Sequence, residues 1–211
     1  MTCVVFCGGK IGDYSHAEKY CRNAELVISA DSGARHCRAL GIVPDIALGD
    51  FDSIDRSDYS RLEEARTEIL RFPVEKDMTD SELAVETAIS RGCSRIILLG
   101  AAGSRLDHSI SNLFLLKKMH DANVEGIIAD DKYEVRLVSG SIRLKREEGV
   151  FITLLPFGGD ASGVTTRGLY FPLENAVLKT GSSLGVSNRF SEDEAYVEVK
   201  EGLLLVITAK D

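Results

Sequence analysis

Residues 79–103, TDSELAVETAISRGCSRIILLGAAG, read as a helix followed by a strand that is apolar on both faces. The predicted helix runs over 80–91, with Thr79 or Asp80 to cap its start and Gly92 to take a left-handed stop. RIILLG then shows no alternation of polar and apolar residues, as befits a strand at 95–99 covered on both sides. Helices on both faces of a mostly parallel sheet satisfy that demand, so the stretch predicts an α/β architecture.

The same rhythm extends outward to about residue 130. Strands are predicted at 3–6, 25–30, 46–48, 68–72, 95–99 and 125–129, and helices at 15–23, 34–40, 56–65, 80–91 and 105–121. In the last helix Leu106, Ile110, Leu113 and Phe114 recur at helical spacing, which predicts that this stripe lies on the sheet. From about Tyr133 the helical period stops. Residues 134–145 read as a hairpin turning at Ser139-Gly140, 150–155 as a strand, and 195–208 as a hairpin turning at Glu201-Gly202. The expected chain is an N-terminal Rossmann-like, mostly parallel three-layer α/β/α domain (1–130) followed by a C-terminal all-β sandwich domain (131–211).

With 44% hydrophobic residues, 27% charged residues and four prolines in 211, the composition is that of a globular protein. No apolar run reaches the roughly 18 residues of a membrane span, and MTCVVFCGGK is too short in its apolar part for a signal peptide. A cytoplasmic protein with no membrane partner is expected. A formal charge of −8 disfavours nucleic acid, because phosphate backbones are gripped by surplus Lys and Arg. An anionic ligand would need a metal or a local basic cluster. The five cysteines are scattered without a CxxC pair and the four histidines show no HxxxH spacing, which favours reduced thiols and disfavours zinc.

Ligands of parallel α/β sheets bind outside the carboxyl ends of the strands, and acidic residues collect at those ends here. Asp31 follows the second strand, Asp50 and Asp52 follow the third, and Asp77 and Asp80 follow the fourth. Arg105, Asp107 and His108 follow the fifth. Singly, Thr79-Asp80 with Glu82 could be a helix cap and Asp52-Ser53 a turn. Together they are harder to dismiss, because carboxylates a few ångströms apart repel unless something positive lies between them. Hard oxygen ligands at this density suit Mg²⁺, and Mg²⁺ implies a phosphate substrate. There is no GxxxxGK[ST] loop, and CGGKIG after the first strand falls short of a nucleotide fingerprint. LGAAGSRLD could present N–H groups and the Arg105 guanidinium to an anion at a helix start, with Lys76 as a second positive group.

Taken in order, ADSGA (30–34), PDIALGDFDSI (44–54), KDMTDSELA (76–84), GAAGSRLDHSISNL (100–113), RGLYFPL and SLGVSNRF resemble the signature blocks of the thiamine pyrophosphokinase family. The resemblance implies an ATP-binding α/β domain, a β-sandwich, and a homodimer with thiamine bound between subunits. It implies Mg²⁺-dependent transfer of the diphosphate of ATP to thiamine, leaving AMP. Asp31, Asp50, Asp52 and Asp80 match the family's metal and substrate carboxylates, with Asp50, Asp52, Asp80 and Arg105 as the catalytic set. Lys76, Asp77, Thr79, Arg105, Asp107 and His108 match nucleotide positions. Asp31, Leu169, Tyr170, Phe171, Leu173, Ser187 and Asn188 match the thiamine side. Two departures stand out: Phe171 replaces the tryptophan of animal and fungal members, and Lys76 replaces their uncharged amide. A metal-dependent phosphoesterase and a non-catalytic nucleotide or thiamine binder remain alternatives on such a fold.

Overall fold

Cys3, Val4, Val5 and Phe6 are all fully buried, so the first strand, β1 (Thr2–Phe6), is covered on both faces. Residues 1–103 and 105–210 are described by the computed structural model; Ser104, within the GAAGSRLDHSISNL block, and Asp211 lie outside them. The chain divides into two units, Met1–Asp131 and Lys132–Asp211.

In the first unit the elements follow as β1, α1 (Tyr14–Cys21), β2 (Leu26–Ala30), a 3-10 turn (Asp31–Gly33), α2 (Ala34–Ala39), β3 (Ile46–Gly49), α3 (Arg56–Glu64), β4 (Glu68–Arg71), α4 (Asp80–Ser90), β5 (Arg95–Leu99), α5 (Leu106–Asp121) and β6 (Glu125–Ala129). The strands lie in the order β6-β5-β1-β2-β3-β4 and every neighbouring pair is parallel. The chain steps from β1 outward to β4, then returns to set β5 on the other side of β1. A crevice outside the strand ends is expected where the order reverses in this way.

Val4, Phe6, Val27, Ile97, Leu99 and Ile127 share one face of the sheet with Ala17 of α1 and Cys37 of α2. Leu62 of α3 joins the same layer over Ala34 and Ala47. The opposite face is covered by α4, which packs on β1, β2 and β3, and by α5, which packs on β6. One expectation is corrected here. Leu106, Ile110 and Phe114 of α5 are 71%, 47% and 56% exposed, and the buried face is Asn112, Leu115, Leu116 and Met119. The inner stripe contains a polar residue, Asn112, whose Nδ2 donates to Ala101 O at 2.7 Å. That bond satisfies Asn112 in the interior, and an apolar-periodicity reading passes over it.

The second unit holds β7 (Tyr133–Lys145), β8 (Val150–Arg167), β9 (Ala176–Leu178), β10 (Asn188–Arg189) and β11 (Glu194–Lys210). Its strands are antiparallel in the order β10-β8-β11-β7, with β9 on β8. Alternate residues such as Ala195, Val197, Val199, Leu204 and Val206 point into its core. Neither expected hairpin exists: β7 and β11 are single long strands paired with each other along their length. Gly140 (φ 81°), Gly158 (φ 75°) and Gly202 (φ 88°) fall at about the same level of β7, β8 and β11, where the registers shift. Left-handed glycines at bulges bend strands around a core without ending them, so Ser-Gly and Glu-Gly mark corners here and not turns.

Candidate active site

The loops after β1, β2, β3 and β5 and the start of α4 surround a cavity of about 480 Å³. Asp31 enters it from the end of β2 and Asp52 from the end of β3. One oxygen each of Asp31, Asp50 and Asp52 can be chosen so that all lie within 4.8 Å of one another. The backbone is arranged for this meeting. Asp31 (φ 46°), Gly49 (φ 143°) and Phe51 (φ 63°) all lie in the region L-residues avoid, and strain of that kind gathers at functional sites. The left-handed turn at Phe51 sends its ring away, edge-on to Tyr59 at 5.4 Å, while the aspartates on either side converge. A Cβ on Gly49 would lie 3.1 Å from Asp31 Cβ and 3.2 Å from Asp80 Oδ1, so only glycine lets the strand ends close up.

The carboxylates are not equivalent. Burial raises the pKa of Asp31, outweighing the Ser32 N–H that stabilises its charge, and Asp80, Asp50 and Asp52 add to the rise. Its Oδ1 is buried with no hydrogen-bond donor among the described residues. Asp50 is shifted the other way: its Oδ1 accepts from Asp52 N at 3.0 Å, its Oδ2 from Lys76 Nζ at 3.1 Å, and its pKa falls. Asp80 is raised by burial, against the pull of Lys76 Nζ 3.1 Å away. Thr79 is the cap of α4, its Oγ1 accepting from Glu82 N at 3.2 Å, a bond worth about 1 kcal/mol. Capping by Thr79 leaves Asp80 as the first helical residue, facing the cavity.

Across the crevice the Gly8-Gly9 loop after β1 lies against the loop after β5. Gly9 N donates to Gly100 O at 2.8 Å, and a Cβ on Gly9 would come within 2.2 Å of Ala102 O. Two side chains of α2 hold the other edge of this loop. Arg35 Nη2 donates to Gly8 O and, at 2.9 Å, to Gly9 O, and His36 Nε2 lies 2.8 Å from the same Gly9 O. A carbonyl only accepts, so Nε2 carries the proton and Nδ1 accepts from Tyr14 OH at 2.8 Å. Burial lowers the pKa of His36 below its ordinary 6.5. The unfolded chain therefore binds a proton that the folded ring refuses, and stability should be lost as pH falls from 6.5 toward the folded value. Urea melts across this window should show that slope in the wild type and a flatter one in His36→Gln. An unchanged slope would rule out a buried neutral His36.

Arg105 and His108 reach the cavity from the start of α5, but Arg105 is tied to Asp107, Nη2 to Oδ2 at 2.5 Å and Nε to Oδ1 at 3.2 Å. That bidentate pair holds Asp107 down to about 2 and raises Arg105 further. Asp107 and Asp77 are exposed and do not line the cavity.

In the second unit Tyr170 and Phe171 are 54% and 63% exposed and meet edge-to-face at 4.8 Å. Arg189 lies over the Tyr170 ring at 4.0 Å, so one face of that ring already carries a cation. Asn188 is buried: its Oδ1 accepts from Phe171 N (3.1 Å) and Arg189 N (2.9 Å), and its Nδ2 donates to Phe171 O (2.7 Å). Asn188 thus fixes the backbone that carries Phe171. Leu169 is buried in the unit's core and Leu173 packs against it, while Ser187 is exposed with a left-handed backbone, φ 57°.

Residues 17–128 match a family model described as the catalytic domain of thiamin pyrophosphokinase, and residues 140–204 match its vitamin B1 binding domain. The chain belongs to the thiamin pyrophosphokinase family. Thiamine pyrophosphokinase of Bacillus subtilis (strain 168) is 30% identical over 188 residues, covering 88% of each chain. A crystal structure of thiamine pyrophosphokinase from B. subtilis superposes with a TM-score of 0.90 at 28% identity, covering 100% of both chains. That of the Geobacillus thermodenitrificans enzyme gives 0.85 at 27%, covering 100% of this chain and 98% of the other.

For this family member, sequence reasoning missed several residues of the cavity wall. Gly8, Gly9, Ser53, Ser81 and Asn112 all line it. Gly8-Gly9 had a visible signal, a glycine pair directly after a strand. His36 and Tyr14 act one layer behind the wall, and nothing in their spacing announces them.

Proposed function

We propose that this protein transfers the diphosphate group of ATP to the hydroxyl of thiamine, giving thiamine diphosphate and AMP, with Mg²⁺ held by the acidic cluster of the first unit. The observation that carries the proposal is the meeting of Asp31, Asp50 and Asp52 at the strand ends of a chain in this family. The residues fit the ion: three hard oxygens converge, and Asp31 Oδ1 is buried with nothing donating to it. Bound there, Mg²⁺ would neutralise charge on the phosphates and on the departing AMP.

The protein's own groups supply the rest. The Gly8-Gly9 and Ala101–Gly103 loops would offer close approach to phosphates because nothing larger than a methyl group stands on them. Arg105 brings positive charge to the mouth of the cavity, where it would exchange Asp107 for a phosphate oxygen. Thiamine's hydroxyl attacks the β-phosphorus and sheds a proton as AMP leaves. Burial strengthens Asp80 as an acceptor, so that proton is assigned to it, although a loose transition state asks mainly for positioning. Phe171, the ring without a cation on it, would stack on thiamine, with Asn188 holding it in place. The working form is taken to be a cytoplasmic homodimer with thiamine between subunits.

Phe171→Ala should raise KM for thiamine about tenfold, in line with the loss of one cation–π contact, and leave KM for ATP unchanged. Equal rises in both would point to a folding defect. The function itself is tested by supplying ATP, Mg²⁺ and thiamine and identifying the products. AMP with thiamine diphosphate is expected. ADP with thiamine monophosphate would mean a single phosphoryl transfer, free phosphate a hydrolase, and no product a binding protein.

A further inference from the structure

Lys76 occupies an unusual place for a residue expected to meet the nucleotide. Its side chain is only 13% exposed, and its ammonium lies 3.1 Å from Asp50 Oδ2 and 3.1 Å from Asp80 Oδ1, with Pro73 O at 3.2 Å. Two carboxylates at ion-pair distance offset the cost of enclosing an ammonium. The lysine thus bridges the third and fourth strand-end carboxylates. Asp31 and Asp52 are left outside this bridge, and only Asp50 belongs both to it and to the cluster within 4.8 Å.

Two-metal phosphoryl-transfer sites hold their ions by sharing carboxylates between them. Here the ground between Asp50 and Asp80 is already filled by an ammonium. We infer that Lys76 is the site's second cation: it takes the place of a second divalent ion, limits the acidic cluster to one, and fixes Asp80 beside it. The position of the ammonium decides the stoichiometry. Asp50 and Asp80 face the lysine, and Asp31 and Asp52 with Asp50 leave the negative charge for one divalent ion on the other side. A second ion shared by Asp50 and Asp80 would have to sit within a few ångströms of the ammonium, where like charges repel strongly.

This inference rests on the metal site of the proposed function but not on its reaction. Its test is a Mn²⁺ titration of the intact protein without nucleotide, read by the electron paramagnetic resonance of free Mn²⁺. The wild type and Lys76→Arg should each bind one Mn²⁺ per chain. Lys76→Gln, which removes the charge on a side chain one atom shorter, should bind two, and Lys76→Gln with Asp80→Asn should return to one. Circular dichroism of each variant confirms that it is folded. Two ions in the wild type, none in the wild type, or one in Lys76→Gln would each overturn the inference. If the stoichiometries come out as expected and no thiamine diphosphate is made, the reaction is wrong and Lys76's role stands; product with the wrong stoichiometry means the reverse.

Discussion

Replacing Asp52 by asparagine is expected to lower kcat by about 10²- to 10³-fold while leaving the fold intact, the usual loss when one charge-stabilising group is removed. The side chain is exposed, and its packing carries little: Oδ1 accepts from Ser53 Oγ at 2.8 Å, a bond asparagine keeps through its carbonyl oxygen. The backbone N–H that serves Asp50 is also unchanged. What disappears is one of the three hard oxygens that would hold Mg²⁺ in the proposed reaction. Thermal unfolding measured beside steady-state kinetics separates the two effects. A variant with near-normal kcat at saturating Mg²⁺ would show that this carboxylate holds no metal.

Gly49→Ala should damage stability and turnover together. At φ 143° a Cβ is strained whatever the space, costing about 1–3 kcal/mol. The new methyl would also press on Asp31 Cβ at 3.1 Å, Asp31 Cα at 3.3 Å and Asp80 Oδ1 at 3.2 Å. Its neighbours are the site's own carboxylates, so relief of the crowding moves them, and a misplacement on the order of 1 Å costs about 10²-fold in rate. Urea melts and kcat on the same preparation check both parts. Normal kcat in a destabilised protein would mean that the close approach serves only the fold.

How far the sequence could be read depended on what kind of signal each element carried. RIILLG and Gly92 announced a strand and a helix stop of the first unit because burial on both faces and left-handed caps leave direct marks. The carboxylates were legible because every strand of a parallel sheet delivers its loop to the same edge. The face of α5 was misread because Asn112 makes its bond inside, which periodicity counts as a polar interruption. Gly140 and Gly202 were misread because a left-handed glycine serves a turn and a bulge equally, and only pairing partners distinguish them. The Lys76 bridge depends on how a loop folds back, and spacing gives no hint of its contact with Asp50, 26 residues away.

In the proposed reaction a diphosphate unit moves in one step at the Asp31, Asp50 and Asp52 cluster. Phosphorus NMR of a single reaction containing the protein, ATP, Mg²⁺ and thiamine tests it most directly. Thiamine diphosphate and AMP should rise together as ATP falls, with no ADP or thiamine monophosphate at any time. A transient of either species, or orthophosphate accumulating without thiamine diphosphate, would contradict it.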